Sequence, residues 1–127
     1  MENERGTVIT IGGEKHELLL TTRATKEIAG RYGGLEKLGD RLMKAENFEE
    51  ALGEVIWLIT LLANQSKMVH NLRHKSDPLP MLSEEEVELL TSPADIAEFK
   101  TAIMQCLSNG TKRNVESEES SKNVTAE

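Results

Sequence analysis

The feature that most constrains this chain is a short strand pattern that is broken by two glycines and followed directly by a helix. Thr7 to Ile11 is rich in β-branched residues, and an extended pattern resumes from His16 to Leu20. Gly12, Gly13 and Glu14 lie between the two segments and can supply the positive φ angles of a tight turn. The pattern predicts a β-hairpin whose apolar face must pack on helices, because two strands alone are marginally stable in water. The residues expected on that face are Ile9, Ile11, Leu18 and Leu20.

Beyond the hairpin, apolar side chains recur at the three- and four-residue spacing of amphipathic helices. The first two predicted helices are Arg23 to Tyr32, with Thr21 or Thr22 as N-cap, and Leu35 to Lys44. A long helix is predicted to start at the capping box of Asn47 and Glu50, and a short one at the capping box of Ser83 and Glu86. The last predicted helix runs from Pro93 to Asn109–Gly110. The predicted fold class is therefore α+β: a mainly α-helical single domain over residues 1–110 with an N-terminal β-hairpin.

Residues 111–127, with the sequence TKRNVESEESSKNVTAE, differ in composition from the rest of the chain. Two valines and one alanine are the only apolar residues in this segment. Such a segment buries too little apolar surface to offset the entropy lost when it orders. The composition predicts a disordered C-terminal tail over residues 111–127.

The long helix carries apolar residues on two sides. The first stripe comprises Phe48, Leu52, Val55, Ile59, Leu62 and Val69, and the second stripe comprises Trp57, Leu58, Leu61, Met68 and Leu72. Both sides must be covered, either by the rest of the chain or by a second molecule. The second stripe is our candidate partner-binding surface, with a homo-oligomer as one open arrangement. The alternative is a core helix that its own chain covers completely.

Charge and composition argue against several classes of function. The formal net charge is −7 and the pI is near 5.1, whereas nucleic-acid binding needs clustered lysines and arginines that release counterions. The N-terminal sequence MENERGTVIT lacks the basic and apolar regions of a signal peptide, which predicts a cytoplasmic location. The most apolar run, Val55 to Ala63, is about half as long as a membrane-spanning helix. We therefore expect neither a nucleic acid nor a membrane as partner.

No residue pattern predicts an active site or a cofactor site. His70 and His74 lie one helical turn apart, but the residues between them lack the glutamate of zinc proteases, and no third ligand is identifiable. The basic residues from Lys67 to Lys75 are either a solvated helix end or a site for an acidic segment of a partner. Cys106, the single cysteine, lies among apolar residues and is expected to be buried. We expect no enzymatic activity, no cofactor and no bound metal.

Part of the chain resembles a family of phage proteins. The resemblance is carried by the hairpin, the helix that begins Arg23-Ala24-Thr25-Lys26-Glu27-Ile28, the corner Gly33-Gly34-Leu35, the segment Phe48 to Leu52 and the run Ile56 to Ala63. This order, which spans roughly residues 7 to 65, is similar to that of the tail assembly chaperones of long-tailed phages and prophages. It also resembles related small proteins of gene transfer agents.

The resemblance implies a non-enzymatic protein of the host cytoplasm. Such proteins bind the tape measure protein and the tail tube protein and keep them assembly-competent. The alternative is a small DNA-binding or regulatory protein that uses residues 22–43 as a helix-turn-helix. The acidic balance of the chain opposes that alternative, and Gly39 would lie inside its recognition helix.

Overall fold

The computed structural model describes residues 7–44 and 48–126, with side chains described for residues 7–42 and 49–111. The described part contains, in chain order, β1 (Thr7–Ile11), β2 (Glu14–Leu18), α1 (Thr22–Tyr32), α2 (Leu35–Lys44), α3 (Phe48–Arg73), α4 (Glu84–Leu90) and α5 (Pro93–Ala126). The predicted fold class, mainly helical with an N-terminal β-hairpin, is confirmed.

The hairpin is closed by the predicted glycine turn. Gly12 and Gly13 have φ angles of 58° and 86°, a region that glycine enters without steric cost. The turn pairs Ile11 with Glu14, so β2 begins at Glu14, two residues earlier than predicted. The strand residues that join the core are Ile9, Ile11 and Leu18.

The corner between α1 and α2 also follows the prediction. Thr21 is the N-cap of α1, and its hydroxyl accepts a hydrogen bond of 3.0 Å from the amide of Ala24. Gly33 ends the helix with a φ of 93° and donates its N–H to the carbonyl oxygen of Ala29 at 2.8 Å. This tight corner allows α1 and α2 to pack on α3 together.

α3 is the central helix and contacts β2, α1, α2, α4 and α5. Its fully buried side chains are Val55, Leu58, Ile59, Leu62 and Ala63. The predicted burial of the first stripe is thus confirmed at Val55, Ile59 and Leu62. The Phe48 side chain and the predicted cap at Asn47 lie outside the described residues. None of the described helices, α3 included, is long and apolar enough to cross a membrane.

Residues 78–83, which we call the strap, run back along α3 before α4 begins. The side-chain amide of Asn71 donates to the carbonyl oxygen of Leu79 at 3.1 Å and accepts from its N–H at 2.7 Å. Asn64 makes the same pair of bonds with Leu82, at 2.9 and 2.8 Å. Because the two asparagines lie two helical turns apart on one face, the strap lies antiparallel to α3. The predicted capping box at Ser83 then starts α4.

α5 begins at Pro93 as predicted, but the helix end predicted at Asn109–Gly110 is wrong. The backbone of residues 111–126, where we predicted a disordered tail, continues α5. Gly110 has no positive φ, and a Cβ atom on it would lie 2.8 Å from Cβ of Leu20. The glycine therefore permits a close approach of α5 to the segment after β2 instead of ending the helix. The side chains of residues 112–127 lie outside the described ones, so the predicted lack of packing in this segment stays a prediction.

Candidate protein-binding surface

Four of the five predicted partner contacts lie along one side of α3. We call Trp57, Leu61, Met68 and Leu72 the α3 strip, because they follow each other at helical spacing. The first three are partly buried, whereas Leu72 is 71% exposed. Leu58 departs from the prediction, since it is fully buried in the core. Leu58 projects close to Leu72 around the helix axis, so its burial comes from the elements that cover this part of α3, and it is not available to a partner.

Two arginines of α1 border the α3 strip. The guanidinium carbon of Arg31 lies 4.2 Å from the centroid of the Trp57 ring, which is a cation–π geometry. Nη1 of Arg23 lies 3.7 Å from Sδ of Met68. Both arginines are exposed. The strip therefore has a cation beside Met68, whereas at the Trp57 end the charge of Arg31 is paired with Glu54 and several glutamates lie nearby.

The Leu72 end of the α3 strip forms an open groove between α1 and α3. The groove is lined by Thr21, Arg23, Gln65, Met68, Val69 and Leu72. The hydroxyl of Thr21 donates a hydrogen bond of 2.5 Å to Oε1 of Gln65, which joins the two walls. Gln65 is only 2% exposed, so its amide fixes the floor. Such a groove suits an apolar side chain from a partner helix.

A buried carboxylate near Trp57 was missed by the sequence analysis. Glu54, which is 9% exposed, accepts a hydrogen bond from the Tyr32 hydroxyl and forms ion pairs of 3.5 Å with Arg31 and Arg41. Desolvation and the bond to Glu54 raise the pKa of Tyr32 to about 12. The network joins α1, α2 and α3 and explains why a glutamate is retained at a buried position. The sequence signal for it was weak: Glu54 is the one acidic residue of α3 beyond its first turn.

The predicted basic cluster at the end of α3 is divided between two environments. Nζ of Lys67 lies 2.9 Å from Nδ1 of His16, and desolvation lowers the pKa of both groups. The rings of His70 and His74 stack with centroids 4.6 Å apart, while Nε2 of His70 lies 2.9 Å from the carbonyl oxygen of Asp77. Within the described residues, no three metal-ligating side chains come together.

The segment proposed as a helix-turn-helix does form two helices joined by a short turn. The exposed residues of its second helix, α2, carry both signs of charge: Glu36, Lys37, Asp40 and Arg41. Nη2 of Arg41 lies 2.5 Å from Glu50 and 3.5 Å from Glu54, so this cation is directed toward α3. DNA binding by residues 22–43 stays a prediction, and this charge distribution does not favour it.

Cys106 is buried in the core, as predicted. Desolvation raises the pKa of its thiol to about 12. The thiolate, which is the nucleophilic form, is therefore scarce at neutral pH. This cysteine serves as a small apolar residue of α5.

Comparisons with known proteins give no indication of function. No family model, curated protein or solved structure matches the chain. The α3 strip, its bordering arginines and the groove at its Leu72 end are therefore the features that bear on function.

Proposed function

We propose that this protein is a tail assembly chaperone of a long-tailed phage or prophage. It acts in the host cytoplasm, without catalysis, by binding the tape measure protein and the tail tube protein and keeping them assembly-competent. The observation that carries the proposal is the α3 strip, an apolar surface that ends in a leucine with 71% of its side chain exposed. The sequence resemblance over roughly residues 7 to 65 supplies the class of partner.

The proposed mechanism is the masking of apolar helix surface on the partner. A partner helix lies along the α3 strip, with one apolar side chain seated in the groove beside Leu72. Arg23 favours partner helices that carry an acidic residue near the Met68 end of the strip. Arg31 is paired with Glu54 and contributes through its cation–π contact with Trp57 instead. Met68 suits a chaperone that accepts more than one partner, because a flexible thioether adapts to varied apolar shapes.

Co-purification with the tape measure and tube proteins encoded near its gene tests the proposal. Leu72→Asp places a charge at the most exposed end of the α3 strip, and we expect it to weaken capture of either partner at least about tenfold, as loss of an interface anchor does. Leu89→Asp is the matched control, because Leu89 is 74% exposed but lies on α4, away from the strip. We expect that variant to bind like the wild type.

Two results would count against the proposal. Equal capture by wild-type and Leu72→Asp protein would show that the α3 strip is not the binding surface. Absence of capture together with retention on DNA at physiological salt would favour the helix-turn-helix alternative. Circular dichroism of both variants separates a loss of binding from a loss of folding.

A further inference from the structure

One edge of the hairpin has free backbone groups. A two-residue turn closes on a hydrogen-bonded pair, here Ile11 and Glu14, so hydrogen-bonded pairs alternate along the ladder. Val8 and Thr10 therefore direct their N–H and C=O groups away from β2. The sheet has two strands, and no described residue outside it forms a hydrogen bond with the backbone of Val8 or Thr10. Such an edge is a template for a further strand.

The free edge faces a groove rather than open solvent. β1 forms one wall and α5 the other, with the buried Phe99 and Ala102 among the lining residues. Val8 is 51% exposed and Leu90 is 52% exposed along the rim. Thr7 also lines the groove, and its hydroxyl oxygen is buried without a hydrogen-bond partner among the described residues. The groove thus offers apolar contacts to alternate side chains of an added strand and a hydroxyl that it could engage.

The charged residues that line the groove indicate which kind of partner segment can bind there. Asp95 and Glu98 line its α5 wall, and no lysine, arginine or histidine is among the described lining residues. A second copy of the chain would offer either β1, TVITI, which contains no cation, or β2, EKHEL, in which two glutamates outnumber the one lysine. We infer that the free edge of β1 binds an extended segment of another protein that carries lysine or arginine, which adds as a third strand beside β1 and along the groove wall formed by α5. This site is separate from the α3 strip and does not depend on the proposed function.

NMR of the isotope-labelled full chain with the blocked peptide TKVTVKT tests this inference. We expect amide hydrogen exchange at Val8 and Thr10 to slow at least tenfold at saturating peptide. The amides of Lys15 and Glu17, on the other strand, are the internal control and should not change. The peptide TEVTVET should bind at least tenfold more weakly, and so should TKVTVKT with alternate amides N-methylated.

A pair of charge reversals locates the site on the protein. Glu98→Lys removes a groove carboxylate and should weaken peptide binding at least fivefold. Glu88→Lys changes the net charge equally at an exposed position on α4, and its affinity for the peptide should stay within twofold of that of the wild type. Equal binding by both variants, or tight binding of the N-methylated peptide, would overturn the inference. Protection of Val8 and Thr10 that rises with protein concentration without peptide would overturn it in favour of pairing between two copies.

Discussion

The surroundings of α3 change after Ala63, so we call Phe48 to Ala63 its first half and Asn64 to Arg73 its second half. In the first half, Val55, Leu58, Ile59 and Leu62 are fully buried. In the second half, Met68 and Val69 are partly exposed and Leu72 is 71% exposed. Apolar residues continue from the first half into the second at helical spacing, but most residues of the second half are polar. What differs is how much of the chain covers each half.

The coverage has a simple origin in the order of the elements. The hairpin meets α3 at Leu62, whose carbonyl oxygen accepts a hydrogen bond of 3.1 Å from the N–H of Leu19. Beyond that point α3 is bordered by β2, where Lys67 contacts His16, by the start of α1 at Thr21, and by the strap at Asn64 and Asn71. Among the described residues, no further element covers the outer side of the second half, and Leu72 is exposed there.

The strongest test of this comparison truncates one leucine in each half. Leu58→Ala leaves a cavity in the core and should lower the free energy of unfolding by about 2–5 kcal/mol. Leu72→Ala removes an exposed side chain and should change it by no more than about 0.5 kcal/mol. Urea denaturation of both variants measures the difference. Similar losses would show that Leu72 is packed and that the two halves do not differ.

Two glycine substitutions test how closely α5 packs against the segment that follows β2. Gly110→Ala forces a Cβ to 2.8 Å from Cβ of Leu20 and should cost about 1–3 kcal/mol through overpacking. Gly53→Ala, in the first half of α3, meets nothing within 4 Å and should stabilise by about 0.5–1 kcal/mol. Thermal unfolding of the two proteins gives the comparison. Stabilisation by both substitutions would mean that Gly110 is not at a close contact.

The strap offers a matched test along α3 itself. Asn64→Ala leaves the N–H and C=O of Leu82 without partners in a partly buried site and should cost about 1–3 kcal/mol. Asn71→Ala breaks the same two bonds at an exposed site, where water replaces them, and should cost less than about 1 kcal/mol. Chemical denaturation checks the order. A larger loss at Asn71 would contradict the view that coverage weakens toward the end of α3.

The smallest effect concerns pH at the contact between the hairpin and the second half of α3. The pKa of His16 is lowered from 6.5 by desolvation and by Lys67. The unfolded chain therefore binds a proton more readily, so this contribution to stability is present above pH 6.5 and is lost as the pH falls below it. We expect a lower free energy of unfolding at pH 5.5 than at pH 7.5. His16→Gln should reduce that difference, and an unchanged difference would remove His16 as its cause.

Much of the fold could be predicted because its signals are local. The positive φ of Gly12 and Gly13, the Thr21 cap and the Ser83 capping box each depend on a few neighbouring residues. The candidate surface was predicted in outline from helical spacing, but Leu58 was assigned to it because a two-sided stripe does not show which edge faces inward. Gly110 was misassigned because a glycine at a helix end and a glycine at a close contact look identical in sequence.

The sequence by itself determined the hairpin, the starts of α1, α4 and α5 and the burial of Cys106, since caps, turns and apolar spacing are set within one or two turns of chain. Only the tertiary structure decided which side of α3 stays exposed, how Glu54 is paired, and that α5 continues past Gly110. The pairing of Glu54 with Tyr32 and the close approach of Gly110 to Leu20 each join residues far apart in sequence. Contacts between segments that are distant in sequence determine such features, and local propensity gives no information about these contacts.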